Sequence, residues 1–128
     1  MPKIPLISIV DDDDALRSSL ENLIRSVGLR AQGFSSAEAF LSSNQVHETG
    51  CLILDVRMPG MSGPELQRQM AVANSHIPII FMTAHEDAAR RTQALEAGAV
   101  AFLHKPFYEE ELLNAIDAAL KDSLGGKP

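Results

Sequence analysis

The sequence predicts an α/β fold, a parallel sheet with helices wound over both of its faces. Two observations carry this reading. Short apolar runs of four to six residues alternate along the chain with segments of helical periodicity, the pattern of successive βα units. Four of the runs also end in residues of related chemistry. Ile7 to Val10 leads into Asp11, Asp12, Asp13 and Asp14, and Cys51 to Leu54 ends at Asp55. Ile77 to Met82 ends at Thr83, and Val100 to His104 ends at Lys105-Pro106. In an open α/β sheet the carboxyl edge of the strands is where ligands bind. Parallel strands would bring these ends together as one acidic pocket with one cation and one hydroxyl.

The first strand is expected near residues 5–10 and the first helix near 14–27, with Leu16, Leu20, Leu23, Ile24 and Val27 on one face and Gly28 as its C′ glycine. A strand follows near 30–34. The second helix, near 36–44, is expected to open on a capping box, Ser35-Ser36-Ala37-Glu38. The third strand, near 51–54, is apolar enough to be central. The third helix, near 63–74, has its own box, Ser62-Gly63-Pro64-Glu65, with proline inside the first turn. A strand near 77–82 precedes a fourth helix near 86–97, whose apolar positions Ala88, Ala89, Ala94, Leu95 and Ala97 are mostly alanines. Little area is buried there, so at about 25 cal/mol per Å² its hold on the sheet is weak. It is either a short exposed helix closed by Gly98 or an element that shifts cheaply. The last strand falls near 100–104. The last helix, near 108–122, buries Leu112, Leu113, Ile116, Ala119 and Leu120.

The 128 residues suit one domain, expected over 1–122, with 123–128 as a tail or the start of a linker. No apolar run approaches the roughly 20 residues of a membrane span, and the first residues lack the apolar stretch of a signal peptide, so the expected compartment is the cytoplasm. The lone Cys51 agrees with a reducing compartment and reads as core filler. A net charge of −6 argues against direct nucleic acid binding by this segment.

Asp13 and Asp14 are accounted for as helix-start acids. Asp11 and Asp12 lie earlier, and with Asp55 they would repel unless a cation neutralised them. Mg²⁺, which takes few carboxylates plus waters and phosphate oxygens, suits such a site; solvated capping acids are the alternative. Thr83 either ends a strand or donates to a phosphoryl oxygen, with Ala84 leaving room. Lys105, before Pro106, is biased to an extended conformation over the strand edge. The four histidines lack zinc-like spacing. No phosphate-cradling glycine loop follows the first strand, and no G-x-S-x-G elbow is present.

Taken together, Val10-Asp11-Asp12-Asp13 with Arg17 and Leu20, the stretch Leu54 to Gly63, Met82-Thr83-Ala84, and Ala97-Gly98-Ala99 with Phe102 to Phe107 resemble the receiver domain of bacterial response regulators. Ser36 to Leu41 and Lys105-Pro106-Phe107 are most similar to FixJ-type receivers, which usually precede a helix-turn-helix domain. The resemblance covers nearly the whole chain. It implies a flavodoxin-like (βα)5 fold with strand order 2-1-3-4-5, and two-component signalling as the function. It also implies Asp55 as phosphoacceptor, Asp12 and Asp11 as Mg²⁺ ligands with the Arg57 backbone carbonyl, and Thr83 and Lys105 on the phosphoryl oxygens. The implied partners are a sensor histidine kinase, or a small donor such as acetyl phosphate, and a second copy in a phosphorylation-dependent homodimer. The resemblance further implies that the domain turns over no separate substrate. Thr83 and Phe102 would form the switch, by packing alone because Phe102 lacks the hydroxyl of the tyrosine common there; plain core is the other reading of Phe102. A haloacid-dehalogenase-like phosphohydrolase would need an acid two residues after its nucleophile, where this chain has Arg57. A flavin or nucleotide binder of the same fold would need the missing phosphate loop.

Overall fold

The structure is a computed structural model and describes residues 4–85 and 88–125. Five strands, β1 (Leu6–Val10), β2 (Arg30–Phe34), β3 (Thr49–Asp55), β4 (Ile79–Thr83) and β5 (Ala101–His104), alternate with five helices. These are α1 (Asp14–Ser26), α2 (Ala37–Ser42), α3 (Gly63–Val72), α4 (Ala88–Glu96) and α5 (Glu109–Gly125). The strands pair in parallel in the order β2-β1-β3-β4-β5, as the family resemblance implied.

Period-two alternation sorts the apolar side chains onto the two faces of the sheet. Ile7 and Ile9, Cys51 and Ile53, and Ile80 and Met82 pack with Leu20 and Ile24 of α1 and with Leu112, Ile116 and Ala119 of α5. Val10, Leu52, Leu54, Ile79 and Phe81 pack with Ala37 and Phe40 of α2, Leu66 and Met70 of α3, and Ala94 of α4. Strands covered on both faces read as continuous apolar runs, which is why β1, β3 and β4 stood out. Burial of the Cys51 thiol in this core pushes its pKa up to about 12, so it is inert. The chain turns from β1 to one edge and later from β3 toward the other. The crevice therefore opens between the carboxyl ends of β1 and β3.

Local signals place the helix ends. Asp13 caps α1, accepting from the Leu16 amide at 3.1 Å. Past the last turn, the Leu29 amide reaches the Ile24 carbonyl and the Gly28 amide the Arg25 carbonyl, with Gly28 at φ 89°. Ser62 and Glu65 form the expected reciprocal capping box at α3.

Several expectations are corrected. Ser36, not Ser35, caps α2 by accepting from the Ala39 amide, so Glu38 belongs to no capping box. Val27 is the C-cap of α1 and is 49% exposed, because the chain has already left the helical path. β3 starts two residues earlier than its apolar run, at Thr49, whose hydroxyl is satisfied by Ser8 and the Gln45 carbonyl; a 3₁₀ turn, Val46–Glu48, precedes it. Leu95 of α4 is 39% exposed, leaving Ala94 as that helix's buried residue. Residues 86 and 87, expected to begin α4, lie outside the described residues. α5 continues to Gly125, into the expected tail; the rest of that tail lies outside the described residues.

Candidate functional site

β1 and β3 are adjacent and end level, with Val10 opposite Leu54. Asp11 and Asp55 each follow immediately, and Asp12 comes next in the loop to α1. One carboxylate oxygen from each of the three acids lies within 4.8 Å of the others. Asp11 is fully buried and Asp55 is 6% exposed, whereas Asp12 is open to solvent. Asp11 Oδ1 accepts from the Asp13 amide at 2.9 Å, which ties its carboxylate to the start of α1.

Lys105 enters from β5, the far edge of the sheet. Its amide donates to the Thr83 carbonyl at 2.7 Å, and the Lys105–Pro106 peptide is cis. Its Nζ sits 3.1 Å from Asp11 Oδ2 and 3.4 Å from Asp55 Oδ1. Burial alone would lower the lysine pKa, but its contacts with Asp11 and Asp55 outweigh this and raise it, so it stays a cation. Asp55 moves the other way from an ordinary carboxylate. Desolvation, then Asp11, raise its pKa, Lys105 only partly offsets them, and the value is pushed up to about 6. The pocket thus holds more negative charge than its lysine balances.

Thr83 is 3% exposed, and its Oγ1 accepts from the His85 amide at 3.1 Å. Thr83 ends β4 one residue past Met82, the register partner of Asp55, so it lies on the same carboxyl edge as the acids, and Ala84 and His85 after it are exposed. Asp55 runs into a folded loop. The Val56 amide donates to the Met82 carbonyl and the Gly63 amide to the Val56 carbonyl, and Met58 is buried while Arg57 faces solvent.

The acid cluster, the lysine and the hydroxyl, on one parallel sheet of this order, match a known family over nearly the whole chain. Residues 7–117 match the model of the response regulator receiver domain. The chain is a receiver domain of a two-component response regulator. It is 53% identical over 116 residues to the response regulator protein TmoT of Ectopseudomonas mendocina, covering 91% of this chain and 53% of that one. The response regulator StyR has a solved structure with TM-score 0.89 and 45% identity, covering 96% of this chain and 62% of that chain. The structure of FixJ-N gives TM-score 0.83 and 36% identity, covering 94% of this chain and 96% of that one. The receiver spans about half the length of the curated relatives it matches, among them transcriptional regulators such as FixJ.

Glu38 of the receiver, released from capping, crosses from α2 to accept from the Met61 amide at 2.9 Å. Gly60, at φ 79°, leaves room for it: a Cβ there would stand 2.7 Å from Glu38 Oε2. Only the motif's glycine, next to a glutamate-bearing helix, could have signalled this latch on the loop after Asp55. Phe102 is half-buried in β5, with its ring centroid 5.9 Å from that of Phe81. It packs on the α2-α3-α4 face and does not reach the acid cluster by any described contact.

Proposed function

We propose that Asp55 is the phosphoacceptor of this receiver and that Asp11, Asp12 and Asp55, with the Arg57 carbonyl, hold Mg²⁺. The observation that carries the reading is the convergence of three acids with Lys105 on the buried carboxyl edge of β1 and β3. The donor set fits a hard cation: all oxygen, two of the three acids buried, and more negative charge than Lys105 neutralises. When bound, Mg²⁺ supplies charge neutralisation for the transferring group and lets the carboxylates share the pocket.

The chain's own groups then have distinct tasks. An Asp55 carboxylate oxygen forms a bond to phosphorus as the bond between phosphorus and the imidazole nitrogen of a sensor kinase's phosphohistidine breaks. With acetyl phosphate, the broken bond is to the acetyl oxygen. Attack needs the carboxylate ionised, and a pKa of about 6 leaves most of it so at neutral pH. Lys105 stays charged beside Asp55 and pairs with a phosphoryl oxygen. The Thr83 hydroxyl, on the same edge, donates to another. The product carries about −1.5 to −2 charges next to Asp11, which favours pulling Lys105 and Thr83 toward it. Movement of Thr83 on β4 opens space beside its β5 neighbours, and Phe102 repacks against Phe81.

The expected compartment of the receiver is the cytoplasm, and its expected partners are a sensor histidine kinase and a second copy of the phosphorylated receiver. The expected output is transcription, through a helix-turn-helix domain outside these residues. This domain accepts and stores the phosphoryl group and turns over no separate substrate. Incubation with acetyl phosphate and Mg²⁺ should add one phosphoryl group by intact mass. An adduct that persists in Asp55→Asn, or that forms equally well in excess EDTA, refutes the assignment.

A further inference from the structure

Arg17 links both ends of the acid run. Its Nη1 donates to the Asp11 backbone carbonyl at 2.8 Å, and its Nη2 to Asp14 Oδ1 at 2.6 Å. Asp12 and Asp13 lie between those two anchors. The side chain is only 19% exposed because its stem crosses Gly33 of β2. A Cβ on Gly33 would stand 2.7 and 2.8 Å from Arg17 Cγ and Cδ, and would also collide with Glu21 Oε2. The Gly33 backbone lies outside the left-handed region, so the glycine is needed there for space and not for conformation.

We propose that Arg17, seated in the notch left by Gly33, is the positioning residue that holds the β1–α1 loop in its metal-binding form, with Asp12 presented beside Asp11 and Asp55. This deepens the Mg²⁺ reading above and rests on it. Charge and position act in opposite directions here. A guanidinium beside four acids opposes the approach of a divalent cation, so by charge alone its removal would tighten binding. As a positioning residue, its removal frees the Asp11 carbonyl and the loop, and binding weakens roughly tenfold, the scale seen when groups that orient ligands are lost.

Calorimetric Mg²⁺ titrations of the 128-residue chain, with thermal midpoints measured alongside, separate the outcomes. Arg17→Ala and Gly33→Ala are each expected to weaken binding roughly tenfold. The double variant should be no weaker than Arg17→Ala, because the Arg17 stem that Gly33→Ala displaces is already gone and the Glu21 carboxylate, at the end of a flexible side chain, can swing aside. Arg17→Lys should recover part of the affinity, since an ammonium can meet one anchor but lacks the fork for both. Unchanged or tighter binding by Arg17→Ala, with wild-type binding intact, overturns the proposal and leaves the metal reading standing. So do lowered midpoints with unaltered affinity, or additive losses in the double variant. Absence of Mg²⁺ binding by the wild type overturns both. Should Arg17→Ala not fold, Gly33→Ala and Arg17→Lys decide the question by the same criteria.

Discussion

Asp55→Asn is expected to stabilise the metal-free receiver at neutral pH, although it removes the proposed reactive group. The sign follows from the raised pKa, 3.8 normally and about 6 in the fold. Between those values the folded protein keeps a proton that the unfolded chain has released. Stability from this residue is therefore fully present below about pH 4 and is lost as pH rises through about 6. Above that, the buried charge opposes folding by about 3 kcal/mol, at about 1.36 kcal/mol per pH unit between the two pKa values. Solvent at the open side of the crevice reduces this to roughly 1–3 kcal/mol. For a chain of this size that is roughly 4–10 °C in thermal midpoint. Thermal melts of wild type and Asp55→Asn in EDTA at about pH 7.5 should show the variant higher, with the gap closing toward about pH 4. Saturating Mg²⁺ should then favour the wild type, by about 2.7 kcal/mol at a hundredfold excess over Kd, and narrow or reverse the order. A variant less stable than wild type in EDTA at neutral pH, or a gap independent of pH, refutes the reasoning.

Lys105→Met leaves Asp11 and Asp55 without their cation and is expected to destabilise the metal-free protein by about 3 kcal/mol at neutral pH, less at about pH 5, in urea unfolding. Asp12→Ala should weaken Mg²⁺ binding in calorimetry, whereas Asp13→Ala should leave it intact and lower stability by about 1 kcal/mol through the lost α1 cap. Glu38→Ala, which frees the Met61 amide, should speed hydrogen exchange in residues 57–62 by up to about tenfold, with Glu38→Gln close to wild type. The surface expected to change on phosphorylation runs over α4, β5 and α5, so phosphorylated and unphosphorylated protein should differ most in hydrogen exchange over residues 83–107; changes confined to α1 or α2 refute that output surface. Phe102→Ala should leave phosphorylation nearly intact while weakening self-association measured by sedimentation.

What the sequence determined by itself is local or periodic. Alternating apolar runs and helical stripes specify the strands and helices because each signal lies within one or two turns of chain. The Ser62 and Glu65 box, the Asp13 cap and the glycine after α1 are legible for the same reason. The site acids could be found because Asp11 and Asp55 each end a run apolar enough to be buried, and a buried acid needs a partner. Tertiary structure decided the rest, where the partner is chosen by space and not by spacing. Glu38 has the sequence position of a capping residue, but Ser36 takes the cap, and its own partner lies 23 residues away. Val27 and Leu95 fit apolar stripes yet are exposed, Val27 because the helix has ended there and Leu95 because Ala94 is the residue of α4 that the core covers. Lys105 reaches Asp11 across 94 residues of sequence only because β5 is laid beside β4. The raised pKa of Asp55 has the same origin: desolvation and the nearness of Asp11 are properties of the assembled strand edge, and no segment of the chain contains both.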